Sequence, residues 1–174
     1  MVIDKKLAEK NSHLKSKAEK IKLVITDVDG VLTDTGIYYS PSGEAMKRYS
    51  IRDGMGVERL RKYADVETII ITGENSGTVK SRAEKLKITQ VYLGVKDKEA
   101  LLEEIKKKNQ LSSENIAYIG DDSNDYDIMK LVGFTATPSD GMNFIKEISD
   151  YVCEAKGGYG AFREFAELII SLKQ

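Results

Sequence analysis

The sequence predicts an α/β domain, with a mostly parallel sheet, helices on both faces, a small β-hairpin insertion and no cap domain. Three observations point to it. From residue 22 onward, apolar β-branched runs of strand length alternate with helical stretches at the spacing of βαβ units, whose crossovers cover both sheet faces. The first run, Leu23-Val24-Ile25-Thr26, ends abruptly in Asp27-Val28-Asp29-Gly30, an acidic pair where open α/β sheets keep their chemistry. Two later runs also end in polar groups that an apolar core has no use for, Thr72-Gly73-Glu74 and Gly120-Asp121-Asp122-Ser123-Asn124-Asp125.

In chain order, residues 1–20 are rich in Lys, Glu and Ala with Leu7 and Leu14 a heptad apart, and read as a helical extension packed loosely at the surface. Residues 21–174 form the single main domain. Ile37-Tyr38-Tyr39 and Met46-Lys47-Arg48-Tyr49 flank the turn composition Ser40-Pro41-Ser42-Gly43-Glu44, so residues 36–50 read as an inserted hairpin. Its exposed aromatics could pair with another subunit. A helix over 55–63 precedes a strand over 66–72, and a helix over 76–86 with a basic outer face precedes a strand over 91–93. The helix over 97–108 turns Ala100, Leu101 and Ile105 inward. A strand over 116–119 and a helix over 125–131 follow, then segments 134–137, 141–148 and 151–152, and a closing helix over 162–172.

Composition narrows the function classes. At 174 residues, 41% hydrophobic and 32% charged, the chain is long enough to bury roughly 70% of its unfolded surface in one domain. With 27 basic against 28 acidic side chains the net charge is −1, so nothing attracts nucleic acid or an anionic membrane globally, and any anion needs a local site. The single cysteine, Cys153, excludes an internal disulfide and reads as a packed thiol. No apolar stretch approaches the roughly 18 residues of a membrane span, and the expected compartment is the cytoplasm. One histidine, His13 on a solvated helix face, beside one cysteine rules out the usual zinc ligand set.

Parallel strands deliver their C-terminal ends to one edge, so the three polar strand ends converge. Crowded carboxylates repel, and their compensation is a hard cation with oxygen ligands, for which a partly hydrated Mg²⁺ fits best. A calcium loop starting at Asp121 is rejected, because its sixth and twelfth positions are Tyr126 and Val132 rather than Gly and Glu. Asp27 and Asp29 share a face on a regular strand, and a bend at Gly30 would separate them. Asp27 can then act as a nucleophile and Asp29 as acid and base. A phosphate dianion approaching a carboxylate meets about 4 kcal/mol of repulsion per charge pair at 4 Å and ε near 20, so catalysis needs at least two cationic charges. Mg²⁺ is one. Lys96 and Lys98 are the candidates for the other, with Thr72 and the Gly73 backbone as neutral donors to phosphate oxygens.

These residues resemble the haloacid dehalogenase superfamily of aspartate-nucleophile phosphotransferases, with its Rossmann-like sheet. Asp27-x-Asp29-Gly-x-x-Thr-Asp is similar to its first motif, Thr72 to its second, Lys98 to its third and Gly120-Asp121-Asp122-x-x-Asp125 to its fourth. Within it, residues 22–172 resemble the capless phosphatases of phosphorylated 3-deoxy-2-keto sugar acids, through Val31-Leu32-Thr33-Asp34, Arg52-Asp53-Gly54 and the stretch from Gly157-Gly158-Tyr159-Gly160 to Glu164. The resemblance implies an aspartyl-phosphate on Asp27. It implies Mg²⁺ held by Asp27, Asp121 and the Asp29 carbonyl, with Asp122 and Asp125 orienting those ligands. It implies a homotetramer built through the hairpins, with the Gly157–Glu164 segment reaching a neighbour's site as a lid and presenting Arg163 to the substrate.

The substrate markers diverge. Arg52-Asp53-Gly54 resembles the enzymes of 3-deoxy-D-manno-octulosonate 8-phosphate (KDO 8-phosphate), the favoured substrate, whose product would serve lipopolysaccharide synthesis. Thr72-Gly73-Glu74 with Arg82-Ala83-Glu84-Lys85-Leu86 resembles those of nine-carbon acid 9-phosphates such as 2-keto-3-deoxynononate 9-phosphate, the alternative. Arg52, Gly73, Glu74, Lys85 and Arg163 are therefore the expected substrate-binding residues. A non-catalytic oligomerisation module is the reading from another class, opposed by the complete set Asp27, Asp29, Thr72, Lys98 and Asp121.

Overall fold

The computed structural model describes residues 3–174; residues 1 and 2 of the expected helical extension lie outside the described residues. One sheet contains β1 (Leu23–Thr26), β4 (Glu67–Ile71), β5 (Val91–Tyr92), β6 (Ile116–Ile119), β7 (Phe134–Thr137) and β8 (Tyr151–Val152), while β2 (Thr33–Ser40) and β3 (Gly43–Tyr49) form a separate hairpin. The six strands lie in the order β5-β4-β1-β6-β7-β8, and every neighbouring pair is parallel. The chain leaves β1 for β4 on one side and later returns to β6 on the other, which makes β1 the switch point where such sheets bind ligands. Register pairs Thr26 with both Ile70 and Ile119, so the loops after β1, β4 and β6 leave the same edge.

Period-two alternation divides the core between the two faces. Val24, Ile70, Ala117 and Phe134 pack with Val57 and Leu60 of α3 (Ile51–Ala64), Val79 of α4 (Gly77–Lys85) and Phe165 of α8 (Ala161–Leu172). On the other face Ile25, Ile69, Ile71 and Tyr118 meet Leu102 and Ile105 of α5 (Lys98–Asn109), Ile128 of α6 (Tyr126–Met129) and Ile145 of α7 (Asn143–Lys146). Phe134 and Phe165 meet edge to face, 5.1 Å between ring centres.

Several local expectations need correction. The extension forms α1 (Lys5–Lys10), a 3-10 turn and α2 (Lys15–Ala18), and it is not loosely packed, because Leu14 and Ala18 join the main core. Helix α3 begins at Ile51 instead of residue 55; Gly54 and Gly56 depress helix propensity, but the Ser50 hydroxyl accepts from Arg52 N and Asp53 N and caps the start. On α5 the buried pair is Leu102 and Ile105, and Ala100 is exposed. Ile105 is inward as expected and Leu101 packs half-buried against the same core, while the Asp97 cap places Lys98 in the first turn. The predicted helix over 125–131 shortens to α6, the segment over 141–148 contains the short α7, and the hairpin strands are longer than predicted.

Candidate active site

Asp27 sits one residue beyond β1, where the strand edge gives way to the loop, and is buried. Lys98, first residue of α5, donates to Asp27 Oδ1 at 2.8 Å and to Asp125 Oδ1 at 2.7 Å. The Tyr118 hydroxyl, on β6, accepts from Lys98 Nζ at 3.2 Å and donates to Asp125 Oδ1 at 2.6 Å. Asp125 Oδ2 accepts from Asp121 N at 2.9 Å and Asp122 N at 3.4 Å. Both Asp125 oxygens are thus engaged in holding Lys98 and the loop after β6. Asp122 accepts from Ser123 N and shapes the same loop.

Electrostatics follow from this crowding. Burial, then repulsion from Asp125, pushes the Asp27 carboxyl up to about 7 despite the Lys98 ammonium. Burial, then Asp27, Asp125 and Asp122, push Asp121 up to about 8. Burial disfavours the Lys98 ammonium, but the Asp27 and Asp125 charges outweigh it and raise its pKa. Carboxylate oxygens of Asp27, Asp121 and Asp125 lie within 4.8 Å of one another, and Asp121 Oδ1 is buried without a hydrogen-bond partner. Once ionised, three carboxylates against one ammonium leave two negative charges in excess, and an orphaned carboxylate oxygen is a ready ligand, so the donor set fits a hard divalent cation. Gly30 makes the approach possible. Its φ is +91°, and a Cβ there would stand 2.0 Å from Asp121 Oδ2.

Asp29 is treated differently from Asp27. Lys47 Nζ on β3 donates to both its oxygens, at 2.8 and 2.7 Å, and the Thr33 hydroxyl lies 3.3 Å from Oδ1. The turn at Gly30 and this grip separate the two aspartates, as the expected bend required.

Asp27, Asp29, Asp121 and Asp122 line a cavity of about 260 Å³ with Thr72, Gly73 and Glu74. Lys98 and Asp125 support it from beneath, whereas Lys96 is exposed and has no part in it. The other expected substrate residues are not brought together within the chain. Lys85 lines a separate groove of about 420 Å³ with Arg82 and Thr78, so Glu74 and Lys85 border different hollows. Arg52 borders a surface with Arg48 and Tyr159. Arg163 pairs with Glu167 at 2.7 Å beside Arg59. The rest of the Arg52-Asp53-Gly54 marker is taken up by packing: Asp53 Oδ1 accepts from Arg163 N at 2.9 Å in the first turn of α8. Gly157 and Gly158, which begin the segment expected to reach a neighbour's site, are seated on their own chain. Gly158 N donates to Val31 O at 2.9 Å, Arg48 Nη2 donates to Gly158 O at 2.9 Å, and a Cβ on Gly157 would stand 1.8 Å from Gly30 O.

Sequence reasoning missed Lys47, Tyr118, Thr35 and Asn124. Thr35 and Asn124 line the cavity, and Thr35 does so with φ +66°, a strained conformation for a β-branched residue. Tyr118 read as core, which it is, except for its hydroxyl. A lysine on a polar hairpin strand carries no signal that it turns inward.

The haloacid dehalogenase-like hydrolase family matches residues 90–160. The 3-deoxy-D-manno-octulosonate 8-phosphate phosphatase of Haemophilus influenzae is 38% identical over 157 residues, 90% of this chain and 87% of that one. The crystal structure of the Yersinia pestis phosphatase of the same name superimposes with a TM-score of 0.88 at 37% identity, covering 92% of this chain and 86% of that one. A Moraxella catarrhalis structure, in complex with magnesium ion, phosphate ion and a KDO molecule, matches with a TM-score of 0.88 at 35% identity, covering 92% of each chain.

Proposed function

Because the chain belongs to the 3-deoxy-D-manno-octulosonate 8-phosphate phosphatases among the haloacid dehalogenase-like hydrolases, we propose that it hydrolyses KDO 8-phosphate to KDO and phosphate. The observation that carries the reading is the buried Asp27–Lys98–Asp125 array with the unpartnered Asp121 oxygen beside it. Asp27 attacks phosphorus and takes the phosphoryl group, while Asp29 protonates the departing alkoxide and afterwards deprotonates the water that cleaves the aspartyl-phosphate. Lys98 keeps Asp27 oriented and offsets charge in the transition state, and Thr72 with the Gly73 amide receives phosphoryl oxygens. Asp27, Asp121 and the Asp29 carbonyl would hold Mg²⁺, which when bound supplies the second cationic charge against which the dianion can approach.

Assembly as a homotetramer is supported by the exposed Tyr38, Tyr39, Met46 and Ile51 on and beside the hairpin. In such an assembly Arg52, Lys85 and Arg163, remote from the cavity of their own chain, could serve a neighbour. No helix among the described residues is long and apolar enough to cross a membrane. A cytoplasmic enzyme whose product enters lipopolysaccharide fits this reading. Glu74 on the cavity wall favours a second one, a nine-carbon acid 9-phosphate as substrate.

Phosphate release from KDO 8-phosphate and from 2-keto-3-deoxynononate 9-phosphate, with Mg²⁺ and after chelation, tests both. The eight-carbon ester should have the higher kcat/KM and turnover should vanish without metal. Preference for the nine-carbon ester selects the second reading, and release from neither ester overturns both.

A further inference from the structure

We propose that Lys47, brought in by hairpin strand β3, is the positioning residue of the Asp29 carboxylate and holds it ready for proton transfer. The proposal rests on the phosphatase reading and assigns the hairpin a task inside its own chain.

Strand β3 is otherwise half-buried or exposed, yet the Lys47 side chain is 0% exposed. A buried ammonium is tolerated only where anions meet it. Lys47 meets both Asp29 oxygens, at 2.7 and 2.8 Å, and lies 3.5 Å from Glu44. Glu44 in turn accepts from the hydroxyls of Ser76 and Thr78, at the start of α4. A continuous polar chain thus joins the loop after β1, the hairpin, and the loop after β4. Two-point attachment leaves the Asp29 carboxylate little freedom to rotate. It is drawn toward the hairpin, and Asp29 is not among the carboxylates clustered at Asp27, Asp121 and Asp125. Without Lys47 only the 3.3 Å contact with the Thr33 hydroxyl would keep Asp29 from swinging toward any cation bound there, where it could no longer serve the leaving oxygen. The hairpin follows the Asp27–Asp29 loop almost immediately, so its second strand returns a side chain to the place where that restraint is needed.

The test compares Lys47→Met with the wild type on two esters, the sugar-acid phosphate and p-nitrophenyl phosphate. An alkoxide must be protonated as it leaves; p-nitrophenolate need not be. Because kcat/KM covers only steps up to departure of the alcohol, the later activation of water does not enter. The sugar-acid phosphate should lose about 100-fold or more in kcat/KM, the range of one proton-transfer catalyst, and p-nitrophenyl phosphate less than about 10-fold. In an Asp29→Asn background Lys47→Met should cause no further loss. Equal losses on both esters, additive losses in the double variant, or an unchanged kcat/KM would overturn the proposal. If Lys47→Met does not fold, Lys47→Arg, which keeps the cation but displaces it, must show the same leaving-group pattern. A wild-type protein that cleaves neither ester would overturn the phosphatase reading itself, and this proposal with it.

Discussion

Lys98 Nζ stands 2.8 Å from Asp27 Oδ1, and the two side chains are only 2% and 5% exposed. Removing one partner of such a pair strands the other charge in a poorly solvated site. Lys98→Met should therefore destabilise the fold by about 3–5 kcal/mol in urea titration and reduce phosphate release by about 10²–10³-fold. Wild-type stability together with wild-type turnover would remove Lys98 from the mechanism.

Asp27→Asn should abolish phosphate release at a smaller stability cost than Lys98→Met, since Lys98 keeps Asp125 as its partner and an amide at residue 27 relieves repulsion from Asp125. Residual turnover near the wild-type rate would sink the nucleophile assignment.

Metal binding should depend on pH in a defined direction. Asp121 is pushed up to about 8 and Asp27 to about 7 in the cation-free chain, so below those values protons compete with the cation. Apparent Mg²⁺ affinity should rise between pH 6 and 8 and level off above, read by calorimetry. Mg²⁺ at 100 times its Kd should add about 2.7 kcal/mol of stability. Asp121→Asn should lose that increment, and Gly30→Ala, whose Cβ would stand 2.0 Å from Asp121 Oδ2, should weaken it.

Asp53 offers a separate pH effect away from the cavity. Burial raises its carboxyl to about 6, against 3.8 for the unfolded chain. The folded state holds this proton more tightly, so the contribution is present below pH 3.8 and is lost as the pH rises to about 6. The difference is up to about 3 kcal/mol. Asp53→Asn, which can still accept from Arg163 N, should remove this dependence. Parallel urea midpoints for variant and wild type from pH 4 to 7 would contradict it.

Glu74 lines the cavity, where its carboxylate would oppose any substrate carboxylate brought beside it. Glu74→Arg should shift the kcat/KM ratio toward the eight-carbon ester; an unchanged ratio would remove Glu74 from substrate choice.

The amino-acid sequence by itself determined the α/β alternation, the acidic strand ends and the candidates for the site, Asp27, Asp29, Thr72, Asp121 and one of Lys96 and Lys98. Those features are written in local pattern, because a buried strand must be apolar and a parallel sheet gathers its C-terminal ends at one edge. Tertiary structure alone decided which charged groups meet. It chose Lys98 over Lys96 by burying one in the first turn of α5 and leaving the other exposed. It seated the Gly157-Gly158 stretch against Gly30, and it placed Asp53 under α8. It also carried Lys47 inward from a strand that is otherwise polar and open. The physical reason is common to the three charged cases, Lys98, Asp53 and Lys47. A charge's role depends on its distance from other charges and on the water left around it, and neither quantity is encoded in the few residues on either side.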